Sequence, residues 1–276
     1  MRFALINDNR VEAQPQLRGL CSCCSKPVIA KCGTRKIWHW SHKNKTDCDN
    51  WWEPETEWHR TWKNNYPTDW QEVPLLDERT GEKHIADVRT THNLIIEFQH
   101  SHIDPQERTS REKFYKNMVW VVDGSRLKRD YPRFLKEWKV GGISEVHKTD
   151  QTGIFEVWFP EFCFPEAWLK SSVPVIFDFK GDSKINDTDF VRNNLYCLFP
   201  QVGRHARVAE ISRKAFVNSV ISGEWTQRVQ EFIINFRKQD ETAQQRQQQT
   251  AKSTSRFIPF GSPLNRFIYK SRRRRF

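Results

Sequence analysis

The sequence predicts an α/β (α+β) fold: a mixed sheet flanked by helices, with a cysteine- and histidine-rich knob ahead of it and a C-terminal α/β extension behind it. Three observations predict this. Between residues 71 and 123, three short β-branched runs are followed by a capped helical stretch and a fourth apolar run, the order strand–strand–strand–helix–strand. In front of them Trp58 and Trp62 recur at i, i+4 and give one short helix a buried aromatic face. Residues 21–50 hold five of the seven cysteines and little apolar periodicity, so that segment needs a staple to fold.

The elements follow in order. A strand is expected at Arg2–Ile6. A helix is expected over 53–64, with Pro54 in its first turn and Pro67 beyond its end. Strands follow at Gln71–Leu76, His84–Arg89 and Leu94–Gln99, with Thr80-Gly81 and Thr91-His92-Asn93 as turns. Asp104-Pro105-Gln106-Glu107 starts the next helix, with a cap, a proline at the first position and an acid three residues after the cap; it runs to Asn117. Met118–Val122 is a buried strand closed by Asp123-Gly124. Further strands are expected at Val173–Phe179 and Leu195–Phe199, then a helix over Arg213–Ile221 and a helical stripe of Val229, Phe232, Ile233 and Phe236. After Gln239 the chain turns Gln-rich and then Ser/Arg-rich, and is expected to be disordered with a helical start. The organisation expected is a knob over 1–50, a core over 51–124, an accessory region over 125–238 and a basic tail over 239–276.

Size and charge narrow the class. A chain of 276 residues with 12 Trp and 19 Phe can bury a sizeable core. The net charge of +11 is uneven: residues 237–276 hold eleven Lys and Arg against two acids, which is +9 and leaves +2 for the rest. Attraction to polyanions therefore belongs to the tail and fades with salt. There Phe257, Phe260, Phe267 and Tyr269 interleave with basic residues ahead of Arg272, Arg273, Arg274 and Arg275, a pattern suited to stacking on single-stranded bases or to docking on a partner. No apolar run approaches membrane-spanning length, so no membrane partner is expected. An odd cysteine count, nearby histidines and no signal peptide argue against a secreted disulfide framework and for a reducing, cytoplasmic protein.

Cys21-x2-Cys24 is followed, after fourteen residues, by His39-x2-His42. A CxxC knuckle with a close histidine pair fits a tetrahedral zinc site, with Cys48 and Cys23 as rival ligands. Four protein ligands leave no open position, so this metal would fold the knob rather than do chemistry. Lys26, Lys31, Arg35 and Lys36 in the same loop read as a solvated face or as phosphate contacts.

Ile85-Ala86-Asp87-Val88 and Ile95-Ile96-Glu97-Phe98-Gln99 set acids among β-branched residues. Alternation turns Glu97 and Gln99 to one face and Ile96 and Phe98 to the other. A carboxylate beside an apolar sheet is costly unless something binds it, and oxygen ligands suit Mg2+ or Mn2+. Glu55, His59 and Lys63 recur at i, i+4 and i+8 of the expected helix. Alone they read as a surface ladder; with Asp87 and Glu97 they converge where the helix packs on the sheet. Asp87, Glu97 and Glu55 would then hold one or two divalent ions against a phosphodiester. Lys63 would supply further positive charge, Gln99 would orient water, and His59 would carry a proton or orient a ligand. His100, Ser101 and His102 read as polar residues at the cleft mouth, with a second metal as the sharper alternative. Arg108, Arg111 and Tyr115 fall at i, i+3 and i+7 of the next helix, where Arg111 and Tyr115 would contact a phosphate or brace Glu97.

These motifs, in this order, resemble the competence protein CoiA-like family: Cys-x2-Cys and Trp-His-Trp-Ser-His, then Glu55-x3-His59-x3-Lys63, Ala86-Asp87-Val88, Ile96-Glu97-Phe98-Gln99-x-Ser101-x-Ile103 and Arg111-x3-Tyr115. The resemblance spans roughly residues 20–123. It implies a nuclease domain of the PD-(D/E)xK superfamily, a restriction-endonuclease-like core with magnesium at the strand carboxylates and a zinc-finger-like knob in front. Asp87 matches the metal-binding aspartate, Glu97-x-Gln99 matches the acidic-x-lysine motif with glutamine in place of lysine, and Glu55 matches a helical acid that some members add. The leading expectation is a divalent-metal-dependent nuclease acting on double- or single-stranded DNA in processing, recombination or defence. The alternatives are a noncatalytic zinc-containing DNA-binding adaptor and a subunit of a genome-defence or recombination assembly, docking through 125–236 on a protein partner or on its own copies.

Overall fold

A computed structural model describes residues 1–255 apart from 45–47, 50, 52, 78–79, 139–141 and 182–189. The first forty-odd residues form a five-stranded antiparallel sheet, β1 (Phe3–Ile6), β2 (Asn9–Glu12), β3 (Arg18–Leu20), β4 (Pro27–Lys31) and β5 (His39–His42), in the order β2-β1-β3-β4-β5. Asn7 and Asp8, both at positive φ (49° and 63°), make the two-residue link between β1 and β2. Asn and Asp tolerate that geometry, which matches strand twist in tight hairpins. Trp40 and Val28 fill the small core beside Cys21. The segment 21–50, for which no element was expected from its weak apolar periodicity, contributes β4 and β5.

The second sheet has nine strands: β6 (Gln71–Leu76), β7 (Lys83–Arg89), β8 (Ile95–Gln99), β9 (Met118–Asp123), β10 (Val146–Lys148), β11 (Ile154–Val157), β12 (Val175–Asp178), β13 (Asn194–Leu198) and β14 (Ala206–Ser212). Their order is β10-β11-β14-β13-β12-β9-β8-β7-β6. The sheet is mixed: β8, β9 and β12 run parallel, and the pairs on either side are antiparallel. Both faces of β9 and β12 are covered, which is why Met118–Asp123 and Val175–Asp178 are buried throughout.

Helices α1 (Glu57–Lys63), α2 (Pro105–Tyr115), α3 (Asp130–Trp138), α4 (Glu166–Leu169), α5 (Phe190–Asn193), α6 (Arg213–Ile221) and α7 (Glu224–Ser255) complete the described fold. Trp58 and Trp62 of α1, Phe216 of α6 and Trp225 and Val229 of α7 pack on Val88, Ile96, Phe98 and Val121. The opposite face takes Tyr115 of α2, Phe134 of α3 and Trp168 of α4 against Trp120, Val122 and Phe177. Asp178, 1% exposed at the end of β12, accepts the indole N–H groups of both Trp58 (3.0 Å) and Trp62 (2.9 Å) and pairs with Arg213, tying α1 and α6 to the sheet.

Two expectations need correction, and a third, the helical start of the tail, is met. The helix expected over 53–64 begins at Glu57, because Thr56 caps it: its hydroxyl accepts the His59 N–H, and the His59 ring accepts the Thr56 N–H in return. Glu53, Pro54 and Glu55 therefore precede the helix, and Glu55, His59 and Lys63 do not form one helical ladder. The boundary expected after residue 124 falls inside the nine-stranded sheet, because β12 pairs with β9 directly. Helix α7 runs through the start of the expected basic tail; Phe257, Phe260, Phe267, Tyr269 and Arg272–Arg275 lie outside the described residues. Among the described residues no helix is long and apolar enough to cross a membrane.

Candidate functional site

The knob gathers Cys21, Cys24, His42 and Cys48, whose ligand atoms all lie within 4.8 Å of one another. Cys21 and Cys24 bracket the turn after β3, closed by Ser25 N–H to Cys21 O at 2.9 Å. Cys24 Sγ lies 3.2 Å from His42 Nε2, and Cys21 Sγ lies 3.7 Å from Cys48 Sγ. Three sulfurs and one imidazole suit tetrahedral Zn2+, so the residues fit that metal. Burial and the neighbouring sulfurs push the Cys48 thiol well above its ordinary range, and a cation is what would hold it as thiolate. His39 was expected as a ligand and is not one: His39 and His42 are both on β5, three residues apart, and so face opposite ways. His39 Nδ1 lies 2.8 Å from Ile37 O instead, and Cys48, its rival, takes the fourth place.

Cys48 also begins the chain that reaches the second centre. Asp49, Trp51, Glu53 and Glu55 line one cavity beside β7 and β8. Asp49 accepts the Ile85 N–H (2.9 Å) and pairs with His84 (2.9 Å). Trp51 stacks on the His84 ring, and its carbonyl accepts from Arg111 at 2.5 Å. Glu53 lies 2.8 Å from His59 Nε2; burial works against its charge, but His59, Ser101 and the His100 N–H hold the carboxyl down at about 2.

Within this cavity the Lys63 ammonium lies 3.0 Å from Glu55 Oε1, 3.3 Å from Glu72 Oε1 and 3.2 Å from Asp87 Oδ1. Burial disfavours its charge, yet Asp87, Glu72 and Glu55 together raise its pKa. Lys63 and Arg60 in turn hold Glu55 at about 2 against burial. Asp87 and Glu97 are neighbours where the β7–β8 ladder opens. Pairing is regular at Val88–Ile96; beyond it Glu97 Oε1 accepts the Asp87 N–H (3.1 Å) and Asp87 Oδ2 accepts the Phe98 N–H (3.0 Å). Two carboxylates replace the missing ladder partners, so neither backbone N–H is left unpaired. Burial and the Asp87 charge push Glu97 up to about 8, and Arg111, 3.1 Å away, offsets this only in part.

The structure thus brings together Glu55, Lys63, Asp87 and Glu97, with Arg111 bracing Glu97 and Tyr115 lining the same cavity. Gln99 is not among the lining residues: its amide donates to Glu53 (3.1 Å) and to the Ser101 hydroxyl (3.1 Å). His59 is 2% exposed and bonded on both nitrogens, Nδ1 by Thr56 and Nε2 toward Glu53 and Phe98 O, so it orients Glu53 and the helix start. Arg108 pairs with Glu112 inside α2, away from the cavity. His102 lines a separate cavity with His100 and Ser101. Sequence reasoning missed Asp49, Glu53 and Glu72. Glu72 sits at φ 48°, unusual for a side chain of its size, and accepts the Arg2 N–H (2.7 Å) and Phe3 N–H (3.1 Å), which joins the knob to the cavity. A charged residue directly before Val73 in an otherwise apolar run was the available signal; Asp49 and Glu53 were visible only as alternate acids after Cys48.

Residues 8–50 match the family model for the N-terminal domain of competence protein CoiA. No curated protein and no solved structure matches the chain significantly.

Proposed function

We propose that this chain, CoiA-like through its N-terminal domain, is a divalent-metal-dependent nuclease that hydrolyses DNA phosphodiester bonds on a PD-(D/E)xK-type core. One observation carries the reading: an aspartate, a glutamate and a lysine from three elements meet in one cavity, although the Glu97-x-Gln99 strand lacks the lysine. Lys63 of α1 stands 3.2 Å from Asp87 and takes over that charge. The cavity is lined by six carboxyl groups, Asp49, Glu53, Glu55, Glu72, Asp87 and Glu97, against the cations Lys63 and Arg111. An all-oxygen donor set with surplus negative charge fits Mg2+ or Mn2+. Asp87 and Glu97 would hold the ion, with Glu55 beside them. When bound, such an ion neutralises phosphate charge and lowers the pKa of water.

The chain's own residues do the rest. Lys63, with Arg60, keeps Glu55 ionised, pairs with Asp87 and faces the phosphate with positive charge. Arg111 and the Asp87 N–H fix both oxygens of Glu97, so its carboxylate enters the site in one orientation. Glu53 and His59 hold the start of α1, and with it Lys63. DNA as substrate rests on the CoiA likeness, and a reducing cytoplasm suits the seven free thiols. In this reading zinc at Cys21, Cys24, His42 and Cys48 is structural.

A noncatalytic DNA-binding adaptor is favoured by a different observation: Lys63, Arg60 and Arg111 already pair with Glu55, Asp87 and Glu97. One experiment separates the two. Purified protein is incubated with plasmid and with linear single- and double-stranded DNA, in Mg2+, Mn2+ or chelator, beside Asp87→Ala and Glu97→Ala. Metal-dependent cleavage lost in both variants is expected. Cleavage that survives both removes the nuclease reading, and salt-sensitive binding without cleavage moves the conclusion to the adaptor.

A further inference from the structure

Exposed apolar side chains scattered singly are ordinary on a protein surface, but a contiguous group marks a contact site. Of the ten large apolar side chains exposed among the described residues, four fall in one place: Ile143 (59%), Trp158 (42%), Phe159 (41%) and Phe162 (41%). Backbone bonds join them. The Trp158 and Phe159 N–H groups both donate to Ser144 O (3.2 and 3.1 Å), beside Ile143, and the Phe162 N–H donates to Phe159 O (3.3 Å). They stand at the β10 end of the nine-stranded order, where no further strand covers the sheet among the described residues.

This shelf is held in shape. The Trp158 indole stacks on the His205 ring, with centroids 4.8 Å apart and 14° between the planes, and its N–H donates to Glu156 Oε1 at 2.8 Å. The His147 ring lies 5.0 Å from the same indole. The charge around the shelf is acidic. Residues 143–166 carry five acids and one lysine, and Glu145 and Glu161 stand exposed beside Ile143 and Phe162. Glu145 lies 3.8 Å from His147, and Arg207 pairs with Glu156 at 2.5 Å. Lys148 and Arg204 are the exposed cations nearby in sequence, fewer than the acids.

A segment of the opposite charge starts from the same place. Asp240 of α7 lies 3.7 Å from Arg207, whose partner Glu156 also accepts the Trp158 indole. Helix α7 therefore leaves the body beside the shelf, and from Glu241 to Arg246 its side chains are exposed. Beyond Asp240 the helix continues to Ser255, a length of roughly 22 Å. Residues 256–276 lie outside the described residues. Their sequence holds seven Lys and Arg, no acid, and the aromatics Phe257, Phe260, Phe267, Tyr269 and Phe276. Phe267 stands twelve residues after Ser255. Twelve residues span up to roughly 40 Å, more than the helix has carried the chain away, so Phe267 and Tyr269 can return to the shelf.

We propose that residues 256–276 of this chain dock on the shelf, with Phe267 and Tyr269 against Ile143, Phe159 and Phe162 and the adjoining basic residues on Glu145 and Glu161. Aromatic rings then meet apolar side chains and cations meet acids, a match that a neutral or acidic partner would not make. Attachment to the same chain raises the effective concentration to about the millimolar range, so a shelf too small to hold a free partner holds its own tail. The docking is independent of the acid–lysine cavity of Lys63, Asp87 and Glu97 and of the nuclease reading. Its consequence is a competition: a polyanion that engages Arg272–Arg275 must first draw them from the body.

The test replaces Phe267 by the photocrosslinker p-benzoylphenylalanine in the zinc-loaded full-length chain, free of nucleic acid, and maps the adducts by mass spectrometry after illumination. Adducts within one chain, on residues 143–147 and 158–162, are expected. Phe159→Ala together with Phe162→Ala removes two of the rings and should lower the adduct yield about fivefold or more. Glu161→Lys, which removes no apolar contact, should lower it about twofold or more. All three positions are exposed, so both variants keep the fold. Adducts elsewhere on the chain, no adduct, or a yield indifferent to both variants overturns the proposal. Adducts between chains that increase with protein concentration assign the shelf to the tail of a second copy and overturn it as well.

Discussion

Replacing Lys63 by methionine probes the acid–lysine cavity with little change of volume. The side chain is 3% exposed, and its ammonium contacts Glu55, Glu72 and Asp87 within 3.0–3.3 Å. Glu55 measures the electrostatic part: Lys63 and Arg60 hold it at about 2 rather than 4.5 despite burial. A displacement of that size corresponds to roughly 3 kcal/mol of native-state stabilisation. Removing one partner of a buried ion pair costs about 3–5 kcal/mol, and Lys63→Met is expected to lose that amount at neutral pH. The sign follows from the direction of the shift. In wild type the depressed Glu55 pKa stabilises above 4.5, and the contribution disappears as pH falls through about 2. In the variant Glu55 and Glu72 lose the cation that holds their pKa values down, so these rise and protonation relieves them. The deficit should therefore be largest at neutral pH and shrink toward about pH 4. Urea denaturation at both pH values measures it. Added Mg2+ should restore stability to the variant more than to wild type, because a dication then substitutes for the ammonium. A loss below about 1 kcal/mol at neutral pH, or one that is the same in acid, refutes the assignment.

Elemental analysis should find about one zinc per chain, lost in Cys21→Ser, Cys24→Ser, His42→Ala and Cys48→Ser but kept in His39→Ala and Cys32→Ser; loss in His39→Ala would return that residue to the ligand set. Gln99→Lys should not raise cleavage, since the new ammonium would meet Glu53 rather than enter the cavity; a gain in rate speaks against the site as drawn. Asp178→Asn should lower stability by about 3–5 kcal/mol in thermal melts, because it leaves Arg213 without its charge beside two indoles; a change under about 1 kcal/mol would make the pair a bystander. His100 should titrate above its ordinary value by NMR and return to it in Asp123→Asn. Its contribution to stability is present at low pH and is lost as pH rises through the raised value.

What was legible in the sequence was what local chemistry decides. The Asp104-Pro105 start of α2 was readable because the cap, the proline and the acid act within four residues, and the structure has Asp104 accepting from the Gln106 and Glu107 N–H groups. The strand bearing Asp87 and the one bearing Glu97 were readable from their β-branched runs, and their adjacency from the short turn between them. Longer-range facts were not. Nothing local in 125–212 says that β12 inserts beside β9 rather than forming a separate sheet, since parallel pairing needs a crossover and leaves no turn signature. The α1 start was misjudged because Pro54 suits a first turn as well as an extended approach, and the decisive Thr56–His59 box uses a histidine where glutamate or glutamine is usual. His39 looked like a ligand because three-residue spacing was read without its strand; on β5 that spacing divides the pair.

The knob and the cavity are best understood as two ends of one tether. Cys48 is committed to the metal cluster, and Thr56 is committed to the α1 cap. Between them run only seven residues, and Asp49, Trp51, Glu53 and Glu55 among them line the cavity. Seven extended residues span at most roughly 25 Å, so fixing both ends leaves the stretch few alternative paths. A bound zinc would therefore do more than fold the knob. It would reduce the entropy that must be given up to hold Glu55 against Lys63 and Glu53 against His59, which is how a structural metal with no open position can contribute to a site it never touches. The second link works the same way from the other side of the cavity: Glu72, in its unusual backbone conformation, takes the Arg2 and Phe3 N–H groups and the Lys63 ammonium at once. Knob and core are thus joined at the candidate site both along the chain and through Glu72, beside the contacts that Arg2 and Arg10 make to Asn64, Thr68 and Gln71. That arrangement explains why the cysteine cluster and the Asp-Glu-Lys set occur in one chain without assuming that the knob itself binds DNA.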